Sequence, residues 1–443
     1  MPKKLDELNN RIGQRVAQEA LRLKNIIIIL LLSGCQFGAY AQKGRSVENF
    51  DFGWKFHLGD VPEAKDVVFD DAGWRDVQLP HDFSIEQTPQ NNGGGANGFF
   101  PGGIGWYRKT FTAPGNCAGK KVYICFDGVY HRSDVWLNGQ RLGFRPYGYV
   151  GFEYDLTPHL APGGKNVLVV RADHSNAPSS RWYSGSGIYR HVRLKVVDPV
   201  HVDQWGVSVT TPQISPSEGV VRIETAVRND AGRMRQVRLI TEIFSAKGER
   251  AGTAVQTVGV EANSTGAFKQ DIVVKQPVLW NPDAPALYTV VTKIKAGSST
   301  DEVKTVFGFR TLQWDSEKGF FLNGKNMKLK GVNLHQDGGI AVGAAVPERV
   351  WDMRLKRLKD MGCNFIRTSH NPTAPEFLDL CDSIGLLVLD EAFDKWKGGW
   401  YGEYYDEWWK ADLQSMLQRD RNHPSVILWG VGNEVNEQRT QEG

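Results

Sequence analysis

Three patterns of apolar and polar positions succeed one another along this chain. Between residues 43 and 198, short bursts of β-branched and aromatic side chains, as in "GWYRKTFTA", "KKVYICFDGV", "SDVWLNGQRLG" and "KNVLVVRADH", are broken by Gly, Pro and Asn. Asn138-Gly139 supplies a hairpin turn among them. Many short strands without a helical period predict a β-sandwich of the jelly-roll type. From 199 to 310, "VVRIETAVRND", "MRQVRLITEIFS" and "LYTVVTKIKAG" alternate apolar and polar residues with period two. That spacing predicts an immunoglobulin-like sandwich of about a hundred residues, whose role is to connect and orient its neighbours.

The period changes again over 311–443. "FFLNGKNMKLKGVN" reads as a hairpin feeding a strand, and "PERVWDMRLKRLKDMG" places Trp351, Leu355 and Leu358 on one helical face behind Pro347. The strand "CNFIRTSH" precedes a helix "PEFLDLCDSIG" with Phe377, Cys381 and Ile384 at helical spacing. The strand "LLVLDEAFD" precedes "DEWWKADLQSMLQRDRNHP", where Trp409, Leu413 and Met416 share a face, and the strand "SVILWGVGNE" follows. Alternating helices and apolar strands predict a parallel sheet buried on both sides.

The first 42 residues follow none of these patterns. Lys24 precedes "NIIIILLLSGCQFGAYAQ", an apolar run too short to span a bilayer and suited to the core of an export signal. "LLSGC" is a lipobox form that leaves Cys35 lipidated, and "AYA" at Ala39 to Ala41 is the small-x-small form of ordinary signal cleavage. The expected location is therefore outside the cytoplasm, in the periplasm or as a membrane-anchored lipoprotein. The polar stretch before the run, Met1 to Leu23, is long for a signal's n-region.

With 41% apolar and 23% charged residues, the 443-residue chain is ordinary globular material for two to four domains. A net charge of +3 without a basic run gives no footprint for nucleic acid. Cys117, Cys125, Cys363 and Cys381 lack zinc-site spacing and are expected to be free, mostly buried thiols. "NNGGGANGFFPGGIG" contains G-x-G-x-x-G at Gly93, Gly95 and Gly98, but it follows no strand and opens no helix. It reads as a surface loop at the rim of a binding site.

Candidate chemistry sits where the third region's strands end. His335 closes "GVNLH", His370 closes "IRTSH", Asp390, Glu391 and Asp394 follow "LLVL", and Asn433 and Glu434 follow "VILWGVG". In a (β/α) barrel the C-terminal strand ends form the catalytic face. A retaining glycosidase needs two carboxyl groups about 5 to 5.5 Å apart, one protonating the leaving oxygen and one attacking the anomeric carbon. If Glu434 is the acid, burial and a neighbouring negative charge should raise its pKa. Asn433 beside it is suited to hydrogen-bond a sugar hydroxyl.

The stretches "LPHDFSIE", "RWYSGSGIYR", "LWNPDAPALYTV", "FGFRTLQWD", "FFLNGKNMKLKGVNLHQD", "MGCNFIRTSHNPTAPEFLDLCDSIGLLVLDEAFDKW" and "DRNHPSVILWGVGNE" resemble glycoside hydrolase family 2, the β-galactosidases, β-glucuronidases and β-mannosidases. The resemblance implies a jelly-roll sugar-binding domain (43–198), an immunoglobulin-like β-sandwich (199–310) and a (β/α)8 TIM barrel, of which 311–443 would be about the first four strands. It implies Glu434 as acid/base, Asn433 as substrate ligand, His335 and His370 in contact with the sugar, and Asp394 and Trp396 near the pocket. The family's nucleophile is a Glu on a later strand, so none is expected in these 443 residues, and the chain is expected to be an N-terminal fragment with an unpaired, aggregation-prone edge. Lys395 stands where a bacterial β-galactosidase carries a magnesium-binding Glu, so no metal is expected, nor any organic cofactor. The expected activity is exo-hydrolysis of terminal β-galactosides, with a carbohydrate as partner and an oligomer possible. The alternatives are a non-catalytic exported carbohydrate-binding protein, or the same chemistry on β-glucuronides or β-mannosides.

Overall fold

Asn138 and Gly139 both take positive φ, 51° and 79°, and join Ser133–Leu137 to Gln140–Arg145 with Leu137 opposite Gln140. A tight two-residue turn of this hand needs such residues at both positions. The computed structural model containing this hairpin describes residues 44–91 and 94–440. The leader with Cys35 and both cleavage sequences lies outside the described residues, as does Gly93 of the glycine-rich loop.

Two antiparallel sheets make the first domain. One orders Ser46–Asn49, Val192–Val197, Lys121–Phe126 and Phe152–Asp155; the other orders Arg75–Val77, Trp54–Leu58, Gly103–Thr112, Lys165–His174, Ser133–Leu137 and Gln140–Arg145. Trp54, Tyr107, Ile124, Val135, Leu168 and Leu194 fill the space between them. This is the expected jelly-roll sandwich. The second domain is likewise a sandwich. Its three-stranded sheet (Val200–Ile214, Glu218–Asn229, Ser264–Lys275) covers a four-stranded one (Arg250–Val260, Arg235–Phe244, Tyr288–Ala296, Ser299–Phe307) over Val202, Ile223, Leu239 and Val290.

A short antiparallel ribbon, Leu312–Asp315, Gly319–Leu322 and Lys325–Asn326, opens the third region. Four parallel strands follow in chain order: Gly331–Leu334, Phe365–Thr368, Leu387–Glu391 and Val426–Gly430. The helices Glu348–Asp360, Pro375–Ile384 and Gly402–Asp420 connect them. Trp351 and Leu355 of the first helix and Phe377 and Cys381 of the second are buried with Ile366 and Val388 of the sheet, as the helical period predicts; Leu358 and Ile384 are half-buried beside them. The third helix starts at Gly402, ahead of the predicted polar start at Asp406. Tyr401 packs on Tyr147 and Tyr404 on Phe144 of the first domain, which draws the extra turn into the interface. The helix's own apolar face is looser than its spacing suggests, with Met416 buried but Trp409 and Leu413 only half-buried.

Among the described residues the first and fourth parallel strands are each paired on one side only, and Trp429 on the fourth is 40% exposed. The sheet is a partial barrel. The four described cysteines are free, but the expectation that most are buried holds for Cys381 alone; Cys117, Cys125 and Cys363 are half-buried. The first two lie in the jelly roll, one in a surface turn and one on a short strand next to the sheet's edge, where coverage is thin.

Candidate active site

A charged residue inside an apolar strand sets the floor of the site. Arg367 lies between Ile366 and Thr368, which are buried toward the helices, so strand alternation turns its guanidinium to the opposite face. There it binds Glu391 of the third strand through two bonds, Nε to Oε2 at 2.6 Å and Nη2 to Oε1 at 2.9 Å. It also donates to Asn433 Oδ1 at 3.0 Å. Asn433 Nδ2 donates to Asp394 Oδ1 at 2.8 Å, and His370 Nδ1 sits 2.9 Å from Glu391 Oε1. A continuous polar chain thus runs from Asp394 through Asn433, Arg367 and Glu391 to His370, joining three strand ends. Asp390 takes no part: it faces Thr368 on the helix side, where burial and then the charge of Asp420 push its carboxyl far above the usual range.

The first domain builds the adjoining wall. The Trp182 ring stacks on His335 at 4.8 Å with a 22° interplanar angle and meets His370 edge-on at 5.5 Å. The two imidazoles lie 5.6 Å apart, nearly perpendicular at 81°. Burial first, and the neighbouring His370 second, depress the pKa of His335. Tyr147, Tyr149, Trp182, His370, Asp394 and Trp400 help to line a narrow cleft between the two domains.

Glu434 overturns one expectation. Its carboxylate is 60% exposed and accepts from Lys395 Nζ at 2.8 Å, with Arg181 Nη1 2.9 Å away. The Lys395 hydrogen bond, followed by the charges of Lys395 and Arg181, holds its pKa below the ordinary glutamate value instead of above it. Two cations replace the burial and negative partner that a proton-holding acid requires. Its φ of 49° places it in the left-handed region. Arg181 also reaches Asp394 Oδ1 at 3.2 Å. Among the described residues no three His, Cys, Asp or Glu are grouped to hold a metal ion.

Trp396 has its polar atom and one ring face engaged. Its indole donates to Val431 O at 2.8 Å, and its ring lies parallel to Tyr405 at 5.8 Å. The approach depends on Gly432, where an added Cβ would come within 2.9 Å of the indole nitrogen. In this arrangement Trp396 shapes the turn that carries Asn433 and Glu434.

The expected residues His335, His370, Asp394, Asn433 and Glu434 thus meet at one end of the sheet. Sequence reasoning missed Arg181, Trp182 and Arg367. Arg367 carried a signal, a charge within "FIRT". Arg181 and Trp182 carried none beyond lying in "RWYSGSGIYR", because no local period tells which loop of one domain will meet another.

Comparison with known proteins matches three consecutive family models. "Glycosyl hydrolases family 2, sugar binding domain" matches residues 61–198, "Glycosyl hydrolases family 2" matches 200–310, and "Glycosyl hydrolases family 2, TIM barrel domain" matches 315–442. A β-galactosidase of Bacteroides ovatus is 46% identical over 404 residues, which are 89% of this chain and 47% of that protein. The crystal structure of a family 2 member from Bacteroides cellulosilyticus matches with a TM-score of 0.86 at 38% identity, over 89% of this chain and 52% of that one. A Bacteroides uniformis β-glucuronidase structure matches with a TM-score of 0.80 at 29% identity, over 90% and 48%. The chain spans about half the length of the relatives it matches.

Proposed function

This chain belongs to glycoside hydrolase family 2, and from that premise we propose that its third domain supplies the sugar-binding and acid/base side of a retaining β-galactosidase active site. The observation that carries the proposal is the polar chain from Asp394 to His370, which presents Asn433 and Glu434 beside two imidazoles at the C-terminal ends of parallel strands. In the proposed reaction Glu434 leaves Lys395 and Arg181, takes up a proton and gives it to the leaving oxygen while a second carboxylate attacks the anomeric carbon. The deprotonated Glu434 then takes a proton from the water that releases the sugar. At this face Glu391, Asp394 and Glu434 are each engaged by a cation. We therefore place the attacking carboxylate on a later barrel strand, as the family resemblance implies, and assign sugar binding to the residues present.

One relative named β-galactosidase is 46% identical and one named "Putative beta-glucuronidase" is 42% identical, so we take galactose as the first sugar and glucuronate as its direct competitor. Titration of the 443-residue chain with methyl β-galactoside, methyl β-glucuronide and methyl β-mannoside, followed by ligand-observed NMR, tests this. Selective binding of the galactoside supports the reading, a preference for the uronide reassigns the sugar, and failure to bind any of the three overturns it. The exposed, doubly paired Glu434 favours a second reading for this chain, saccharide binding without turnover; it requires Glu434→Gln to keep the affinity and the chain to release no nitrophenol from an aryl galactoside. We further propose, from the leader, that the protein is exported and either lipidated at Cys35 or cleaved after Ala41. The mass of the mature N-terminus decides between them.

A further inference from the structure

Arg190 ends the "SGSGIYR" segment of the jelly-roll domain and is only 1% exposed. Every hydrogen bond it makes goes to a neutral acceptor. Nη1 donates within its own domain, to Tyr149 O at 2.7 Å and Asp127 O at 3.4 Å. The other two nitrogens cross into the barrel. Nε donates to Gln336 Oε1 at 3.1 Å, Nη2 donates to the same oxygen, and Nη2 also reaches Pro372 O at 2.8 Å. Burying a guanidinium without a bonded carboxylate is costly, and an apolar cross-tie would join two domains at less expense. What a planar fork adds is geometry: donors at fixed angles that hold several acceptors at once.

The acceptors are placed accordingly. Gln336 follows His335, and Pro372 lies two residues after His370. Arg419, on the third barrel helix, donates to the next carbonyl, Thr373 O, at 2.8 Å. The far end of the loop after His335 is held from the jelly roll too, where Asp82 accepts from the Ala344 amide at 2.8 Å and from the Tyr183 hydroxyl at 2.7 Å. We propose that Arg190 is a positioning residue whose fork sets the spacing and orientation of His335 and His370, so that the jelly-roll domain determines the sugar-binding geometry of the barrel. The sugar-binding part of this proposal rests on the function proposed above; the placement of the imidazoles does not.

The test uses the full chain, three test variants and two variants for signal assignment. Arg190→Lys keeps a charge but lacks the fork, Gln336→Ala removes the barrel-side acceptor and leaves the jelly roll intact, and Gln336→Glu keeps an oxygen acceptor. The ligand-independent readout is the pair of imidazole NMR signals, assigned with His335→Gln and His370→Gln. Arg190→Lys and Gln336→Ala are expected to shift both signals and to weaken methyl β-galactoside binding roughly tenfold or more, while Gln336→Glu retains the wild-type signals. Imidazole signals that stay in place, or that move with unchanged sugar affinity, overturn the proposal in favour of a merely structural tie. If Arg190→Lys does not fold, Gln336→Ala decides alone. If the wild-type chain binds none of the saccharides, the proposed function fails, while the imidazole signals still decide whether Arg190 positions them.

Discussion

The loops after the first and second parallel strands are gripped by buried groups from the jelly-roll domain, whereas the turn after the fourth strand, which carries Glu434, is held at the surface by Lys395 and Arg181. The two kinds of attachment differ in strength. Leaving a buried charged donor without its acceptors costs several kcal/mol, while an exposed salt bridge contributes about 0 to 1 kcal/mol. The site therefore has a fixed side, with the two imidazoles, and a yielding side, with Glu434, the proposed proton-transfer group. Under the proposed mechanism, the group that exchanges protons sits on the side that is cheap to rearrange.

The contrast is tested most severely at the floor. Arg367→Met leaves Glu391, only 2% exposed, without its bidentate partner, and is expected to cost roughly 3–5 kcal/mol in urea unfolding followed by near-ultraviolet circular dichroism. A loss below 1 kcal/mol would remove the distinction between the two sides.

The root of the fourth strand sharpens it. His423, just before that strand, meets Asp382 Oδ2 at 2.6 Å. Burial alone would lower its pKa, but the Asp382 charge and hydrogen bond outweigh burial and raise it to about 9. A raised folded-state pKa means stabilisation that is complete below the unfolded value near 6.5 and is lost as pH rises toward 9. The expected loss is about 3 kcal/mol, read from urea midpoints across that window, and His423→Gln should flatten the dependence. The fourth strand is then anchored at its start and loose at its end.

Smaller effects belong to the rim. Trp182→Ala removes the ring stacked on His335 and should weaken methyl β-galactoside binding by about 1 kcal/mol, with little change in the melting of the immunoglobulin-like domain. Glu434→Gln should leave the urea midpoint essentially unchanged and the sugar affinity within twofold, measured by the same titration. If it cost as much as Arg367→Met, the turn would belong to the fixed side.

What the sequence revealed depended on range. The four strands and three helices followed from periods of two and 3.6, and Asn138-Gly139 from the backbone angles those residues tolerate. Strand ends located His335, His370, Asp394, Asn433 and Glu434, because parallel strands deliver their C-terminal residues to one face. The state of Glu434 could not be read this way, since a pKa depends on neighbours: Arg181 lies 253 positions earlier in the chain and arrives through domain packing. For the same reason the resemblance put Trp396 near the pocket without showing how it is held: its indole is bonded to Val431 and its ring backed by Tyr405.

The Trp182–His335 stack gives the molecule a built-in optical probe. A protonated imidazole in face contact with an indole quenches its emission, and a neutral one does so far less. Because burial keeps His335 neutral to lower pH than a free histidine, Trp182 should stay bright through mild acid and dim only as the domain-spanning contact takes up a proton. The difference between wild-type and Trp182→Phe emission spectra would then report, without a label, whether the two domains are still docked.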